Sequence, residues 1–425
     1  MKNFSLLSLL AVCFCLNTNA QTTLAKTKNC GHAQRENYLR SIDPEYDAKR
    51  AAVEATYQQD LQNSNKVSAQ YTIPVVVHVV YNTSVQNVSD AQVLANLSQL
   101  NLDFSRQNAD VGNTPAVWQP IAADMQIQFC LVTKDPNGNP TTGIVHKQTS
   151  TTSFGLTGSA NPAYNLSGGD DMWDPDKYLN IYVCPLTGGL YGYATQPPNG
   201  ANYNCVLDFK TIGSFLSPGA NGFPYGCGRT MSHEIGHSMN LDHIWGDDSG
   251  ACTGTDNVSD TPNQGDANGG HLSGVQTDAC ATGSPGMMYQ NYMDYTDDDC
   301  LNLFTAGQKT RSQSAVATYL MSLVNAAPTK CTSSTGLEED WLANSISFFP
   351  NPSTGEVFIN AASPDLSCMN VRVYNAIGET LFLREISLPS LKETKFDLSK
   401  YPNGLYFFEL NTSRGSITKK LVLNR

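Results

Sequence analysis

The chain has 425 residues, enough for two or three domains, and its 38 acidic against 26 basic side chains give a formal net charge of −12. That balance excludes nucleic acid and anionic membrane as partners, because both would be repelled. Twelve cysteines suit an oxidising compartment and some disulfides.

Residues 1–20 combine Lys2, an apolar stretch from Phe4 to Leu16 and a small residue before Gln21, the pattern of a cleavable signal peptide. The stretch is too short to span a bilayer, and no other segment of the sequence reads as transmembrane. Residues 21–65 are polar and helix-prone with sparse apolar positions, as expected for a detachable prosegment; Cys30-Gly31-His32 stands near its start. The run from Tyr71 to Tyr81, β-branched nearly throughout, predicts a buried strand, with His78 inside it as a packing histidine. Ser89 is expected to cap a helix through Phe104, whose Val93, Leu94, Leu97 and Leu100 share one face. Further strands are expected at 126–132, 178–185 and 205–212.

A helix is next expected from about Gly228, and it carries the densest chemistry in the chain. His233, Glu234, His237 and His243 fall within eleven residues. On a helix, residues four apart share a face, so His233 and His237 present two nitrogens to one point, and Glu234 can reach a water held there. These are offsets that suit a zinc ion; the bland alternative is a solvated helix with satisfied histidines. No helix can also aim His243 at that point. The chain must therefore leave the helix after Met239, and Asn240, tolerant of the left-handed region, is the residue available for the turn.

Downstream stands Asn291-Tyr292-Met293-Asp294-Tyr295. With it the sequence resembles the metzincin metalloproteases, whose motif H-E-x-x-H-x-x-G-x-x-H is followed by a Met-turn; Asn240 stands where that motif carries Gly. His243-Ile244-Trp245-Gly246-Asp247, the run from Val258 to Pro262 and the run from Asn291 to Asp298 are more closely similar to the pappalysin family, in its bacterial lysin-like branch, over roughly 71–325. The resemblance implies an α+β catalytic domain, 66–330, with a twisted mixed sheet and two long helices on one side of a zinc cleft. It implies zinc on His233, His237 and His243, Glu234 as general base, Met293 as an apolar floor and Tyr295 as a hydrogen bonder to the developing oxyanion.

The same resemblance gives Cys30 the open zinc position in a zymogen; the alternatives are a disulfide cysteine or an idle thiol. Asp298 matches the acid of a primed-side pocket that would favour Arg or Lys just after the scissile bond, against a calcium ligand or a solvated loop acid. Asp256, Asp260 and Thr261 resemble a calcium site, against a mobile loop. Residues 190–194 resemble an edge strand on which substrate adds, against an ordinary hairpin. Two disulfides are implied after the zinc helix, but only Cys252, Cys280 and Cys300 are present, with Gly270 and His271 near the fourth position. Cys252 with Cys280 is the preferred pair, Cys300 has no obvious partner, and Cys205 with Cys227 stays open.

Composition changes after Lys330. Residues 331–340 read as a linker and 341–425 as a small all-β sandwich in seven short strands. Phe349-Pro350-Asn351-Pro352, Tyr374-Asn375-Ala376-Ile377-Gly378 and Lys419-Lys420-Leu421-Val422 resemble the type-A sorting domain of the type IX secretion system; the alternative is a carbohydrate-binding or fibronectin-like sandwich. The combined expectation is a zinc endopeptidase acting on proteins or peptides, made as a zymogen and passed through the periplasm to the cell surface or medium by that machinery. The competing class is a zinc-containing surface adhesin without peptidase activity. It would have no need of Glu234 and would normally fill the fourth zinc position.

Overall fold

The computed structural model describes residues 29–62, 69–331 except 199, 216, 217, 221 and 223, and 346–425 except 362–367, 377, 388–393 and 413–414. The expected signal peptide and all but the first residue of the expected linker lie outside the described residues.

Two helices open the described chain, α1 (His32–Ile42) and α2 (Tyr46–Gln62). The buried run forms β1 (Tyr71–Tyr81), which is apolar on both faces because both are covered. Val75, Val77 and Val79 enter the main core, while Val76 and Val80 join two smaller clusters. His78 packs inside, stacked on Tyr182 at 4.6 Å between ring centroids, with Nδ1 2.7 Å from Asp170 and Nε2 3.1 Å from Asn180. Ser89 caps α3 (Asp90–Phe104) by accepting the Gln92 amide, completing a capping box.

Parallel partners β2 (Ile127–Leu131) and β3 (Ile144–Gln148) take residues 71–75 and 77–81 of β1, and β4 (Leu179–Cys184) also pairs with β1. The order β2-β1-β4-β6-β5 ends on β5 (Gly192–Ala194), antiparallel to β6 (Asn204–Asp208). The sheet is thus mixed, with one short antiparallel strand at its edge. Helix α4 (Arg229–Ser238) packs on β5 and β6 and also touches α3.

Two helices beyond the expected pair complete this part, α5 (Ala306–Tyr319) and α6 (Met321–Lys330), the latter packed on β1. Cys331, expected to begin the linker, instead pairs with Cys130 across 201 residues. Cys252 pairs with Cys280 as expected, whereas Cys205 and Cys227 are both free thiols, as are Cys30, Cys184 and Cys300.

All seven expected C-terminal strands form: β7 (Ile346–Phe349), β8 (Glu356–Ala361), β9 (Cys368–Asn375), β10 (Thr380–Ser387), β11 (Thr394–Asp397), β12 (Gly404–Thr412) and β13 (Gly415–Leu423). They make two antiparallel sheets, β10-β9-β12-β13 and β11-β8-β7, over a core that includes Val357, Val373, Phe396 and Phe408. No helix among the described residues is long and apolar enough to cross a membrane.

Candidate metal centre and cleft

Helix α4 is buried along its whole length. It ends where the sequence places the turn, with Asn240 at φ +72°. That residue is held in place by Arg50, which donates to its side-chain oxygen at 2.9 Å, and by Arg311, which donates to its carbonyl at 2.8 Å. The turn swings His243 back beside His237, their Nε2 atoms 3.2 Å apart.

Each of the three imidazoles is oriented through its other nitrogen. Nδ1 of His233 lies 2.7 Å from the Tyr292 carbonyl, that of His237 2.7 Å from the Leu241 carbonyl, and that of His243 2.8 Å from the Asp247 carboxylate. Carbonyls and a carboxylate only accept, so each Nδ1 carries the proton and each Nε2 turns a lone pair inward. Burial and the neighbouring imidazoles push the His237 pKa well down, which keeps it neutral and able to ligate. Three converging lone pairs with no proton between them are a donor set built for a cation, and nitrogen donors select the zinc class over calcium. The site residues therefore fit the zinc that the sequence implies.

Cys30 completes the group. Its Sγ and the ligand nitrogens of His233, His237 and His243 all lie within 4.8 Å of one another, with Sγ 3.7 Å from His237 Nε2 and 3.5 Å from Glu234 Oε2. Burial and the Glu234 charge push its thiol well up, so in the absence of a cation it is held protonated. The backbone explains its placement. Tyr191 donates to the Asn29 carbonyl at 2.8 Å and Gly31 donates to the Gly192 carbonyl at 2.8 Å, so the segment lies parallel along the sheet edge as one more strand. Residues 190–194 are thus an edge that an extended chain covers, and here the cover is the chain's own N-terminal segment. His32 stacks on His237 at 3.9 Å between ring centroids, a contact with no local signal in the sequence.

Met293 is buried under α4. A Cβ on Gly236 would come within 2.5 Å of its sulfur, so glycine at 236 is what lets helix and methionine meet. Gly192 does the same above the acid, since a Cβ there would lie 2.7 Å from both Cγ and Oε1 of Glu234. Tyr295 places its hydroxyl 3.1 Å from His243 Nε2. At the start of α4, the buried Arg229 pairs with Asp103 (3.2 Å) and Asp110 (2.8 Å) and donates to the Tyr292 hydroxyl, fastening α4 to α3 and to the segment that carries Met293. Neither Gly192 nor Arg229 carries a local sequence signal for these roles.

Asp298 is fully buried, and its Oδ2 accepts the Cys227 amide at 2.9 Å while its own amide donates to the Pro224 carbonyl. Of the expected calcium residues, Asp256 and Thr261 come together, the Thr261 hydroxyl lying 2.8 Å from the Asp256 carboxylate and 2.8 Å from the Val258 carbonyl. The Asp260 carboxylate accepts from Thr305 and Gly307 at the start of α5, where the unpaired amides of a helix N-terminus attract an anion. Burial pushes the Asp256 carboxyl up to about 7, which marks a carboxylate short of positive charge.

The family profile described as pregnancy-associated plasma protein-A, a peptidase family, matches residues 165–317, and that of a secretion system C-terminal sorting domain matches 347–424. Mature mirolysin of Tannerella forsythia, solved in complex with a cleaved peptide, is 44% identical with a TM-score of 0.60, over 63% of this chain and 100% of that one. A promirolysin variant from the same organism is 40% identical with a TM-score of 0.66, over 72% of this chain and 100% of its own. Extracellular metalloprotease 1 of Coccidioides posadasii is 40% identical over 139 residues, 32% of this chain; the match spans 48% of that relative, about half its length.

Proposed function

The chain belongs to the pappalysin family of metalloproteases, and from that premise we propose that it is a secreted zinc endopeptidase made as a latent zymogen. The observation that carries this reading is the convergence of three inward Nε2 atoms with a prosegment thiol, beside a carboxylate. His233, His237 and His243 would hold the zinc, which when bound would supply Lewis-acid chemistry toward a water and a peptide carbonyl. Glu234 takes the proton of the attacking water and delivers it to the leaving amine. The Tyr295 hydroxyl donates to the oxygen on which charge develops. While Cys30 fills the space among the histidines, water and substrate are kept out. Once residues 29–31 leave, the Tyr191 amide and the Gly192 carbonyl are open to an extended peptide, which adds to the sheet edge as a strand. Mature mirolysin, to which the chain is similar, has been solved with a cleaved peptide bound, and a peptide-binding cleft here agrees with that.

The substrate preference rests on Asp298. A buried carboxylate at the primed side holds a guanidinium bidentately, so Arg, then Lys, is favoured just after the scissile bond. Calcium at Asp256 and Thr261 orders the loop between 246 and 270, and residues 341–425 direct export by the type IX machinery. Domain limits at 21–65, 66–330 and 341–425 belong to the same reading.

The latency claim is tested by comparing the zymogen with its Cys30→Ala variant on a peptide substrate. The variant should hydrolyse at once and reach full activity sooner. Equal lag in both proteins would mean that a group other than Cys30 closes the cleft.

A further inference from the structure

A second group of ligating side chains stands outside the cleft. His271, Asp299 and Cys300 bring an imidazole nitrogen, a carboxylate oxygen and a sulfur within 4.8 Å of one another. We propose that these three residues form a second metal site, for one divalent cation of the zinc class, tying the loop at 270–272 to the segment that carries Asp298.

The donor set selects the class. Calcium and magnesium take oxygen, whereas a mixed nitrogen, oxygen and sulfur set suits zinc and its neighbours. Spacing agrees. His271 Nδ1 lies 3.6 Å from Cys300 Sγ and 2.9 Å from Asp299 Oδ2. With Zn–N about 2.0–2.1 Å and Zn–S about 2.3 Å, a tetrahedral N···S edge is about 3.6 Å, and with Zn–O about 2.0–2.2 Å the N···O edge is about 3.4 Å, so the oxygen draws back from the nitrogen by about half an ångström.

The two segments are already in register without an ion. Gly270 bridges Thr296, the Asp297 amide donates to the Gly270 carbonyl at 3.2 Å, and the Leu272 amide donates to Cys300 Sγ at 3.4 Å. Little ordering is left for the ion to impose, and the Leu272 amide is in place to support a thiolate.

Access is also built in. The His271 side chain is 63% exposed, Cys300 is a free thiol, and the group lines a surface cavity of about 400 Å³ with room for water as a fourth ligand. Burial pushes the Cys300 thiol up to about 11, so the empty site holds it protonated. Binding forms the sulfur–metal bond and releases that one proton to solvent; nothing is oxidised or reduced.

The test uses the full chain as its Cys30→Ala variant, so that no prosegment thiol reaches the catalytic histidines, and loads it with cobalt(II). We expect a near-ultraviolet thiolate-to-cobalt absorption that is lost when Cys300→Ser or His271→Ala is added, while the visible absorption of the three-histidine site is unchanged. His271 is exposed, so its variant keeps the test informative if Cys300→Ser fails to fold. No thiolate absorption at saturating cobalt, or an absorption that survives His271→Ala, overturns the proposal.

Discussion

Glu234 is the residue whose position the rest of the cleft protects. It is fully buried beside three imidazoles, and the edge strand crosses it so closely that only glycine fits at 192. Glu234→Ala should keep its zinc, because all three ligands remain, and lose hydrolysis by on the order of 10²–10⁴-fold. Gly192→Ala should also keep zinc, yet displace the carboxylate and cost about 10²-fold, the effect of a misplacement near one ångström. Metal content by elemental analysis and rates on one peptide check both; a Gly192→Ala enzyme at full rate would mean that the observed contact does not position Glu234. At this scale the convergent histidines were legible because helical periodicity places His233 and His237 on one face, and Asn240 because few residues tolerate its φ. Gly192, Arg229 and His32 were not, since their partners, Glu234, Tyr292 and His237, lie 42, 63 and 205 residues away in the chain.

Among the elements, the strand at 71–81 and the helix after Ser89 read directly from pattern, and both formed within a residue of expectation. Strand β3 was not expected because only Ile144 of its five residues is buried, so it shows no alternation. Helix α5 was missed for a different reason. Its buried positions include Gln308, Arg311, Ser312 and Ser314, polar residues that an apolar periodicity overlooks. Helix α2 covers two of them, since Arg311 pairs with Glu54 at 2.5 Å and Ser314 donates to Asp60 at 2.5 Å; Arg311 also pairs with Asp242 at 3.0 Å, and Gln308 exchanges side-chain hydrogen bonds with Asn291. Helix α2 therefore also reaches the turn that aims His243, directly through Arg50 on Asn240 and indirectly through Arg311. In the loop after α4, the uncompensated Asp256 leads to a stability prediction. Calcium at 100 times its dissociation constant should stabilise the protein by about 2.7 kcal/mol, read as a rise in Tm, and Asp256→Asn should abolish the rise. An identical Tm with and without calcium would remove the cation from this loop.

For the whole molecule, the two packed units have separate cores, one around β1 and one between the C-terminal sheets. The Cys130–Cys331 bridge fastens the end of α6 to β2, so the first unit is closed before the second begins. That bridge was unreadable in advance because its cysteines are 201 residues apart and spacing alone does not fix connectivity. Deleting residues 341–425 should leave the rate of the purified enzyme within about twofold, the independence expected of a domain with its own core, yet strand it in the periplasm of its host. Normal secretion of the shortened chain would make the C-terminal unit a binding module.

Peptide-bond hydrolysis is the function proposed for the convergent histidines. Its most direct test maps every bond cut when the activated protein is incubated with a proteome-derived peptide mixture, with and without a zinc chelator. Many cuts are expected that vanish with chelator, return with added zinc, and carry Arg or Lys just after the broken bond. No cuts, or cuts that persist under chelation, would contradict it; chelator-sensitive cuts with no basic enrichment would keep the enzyme and remove Asp298 from its specificity pocket.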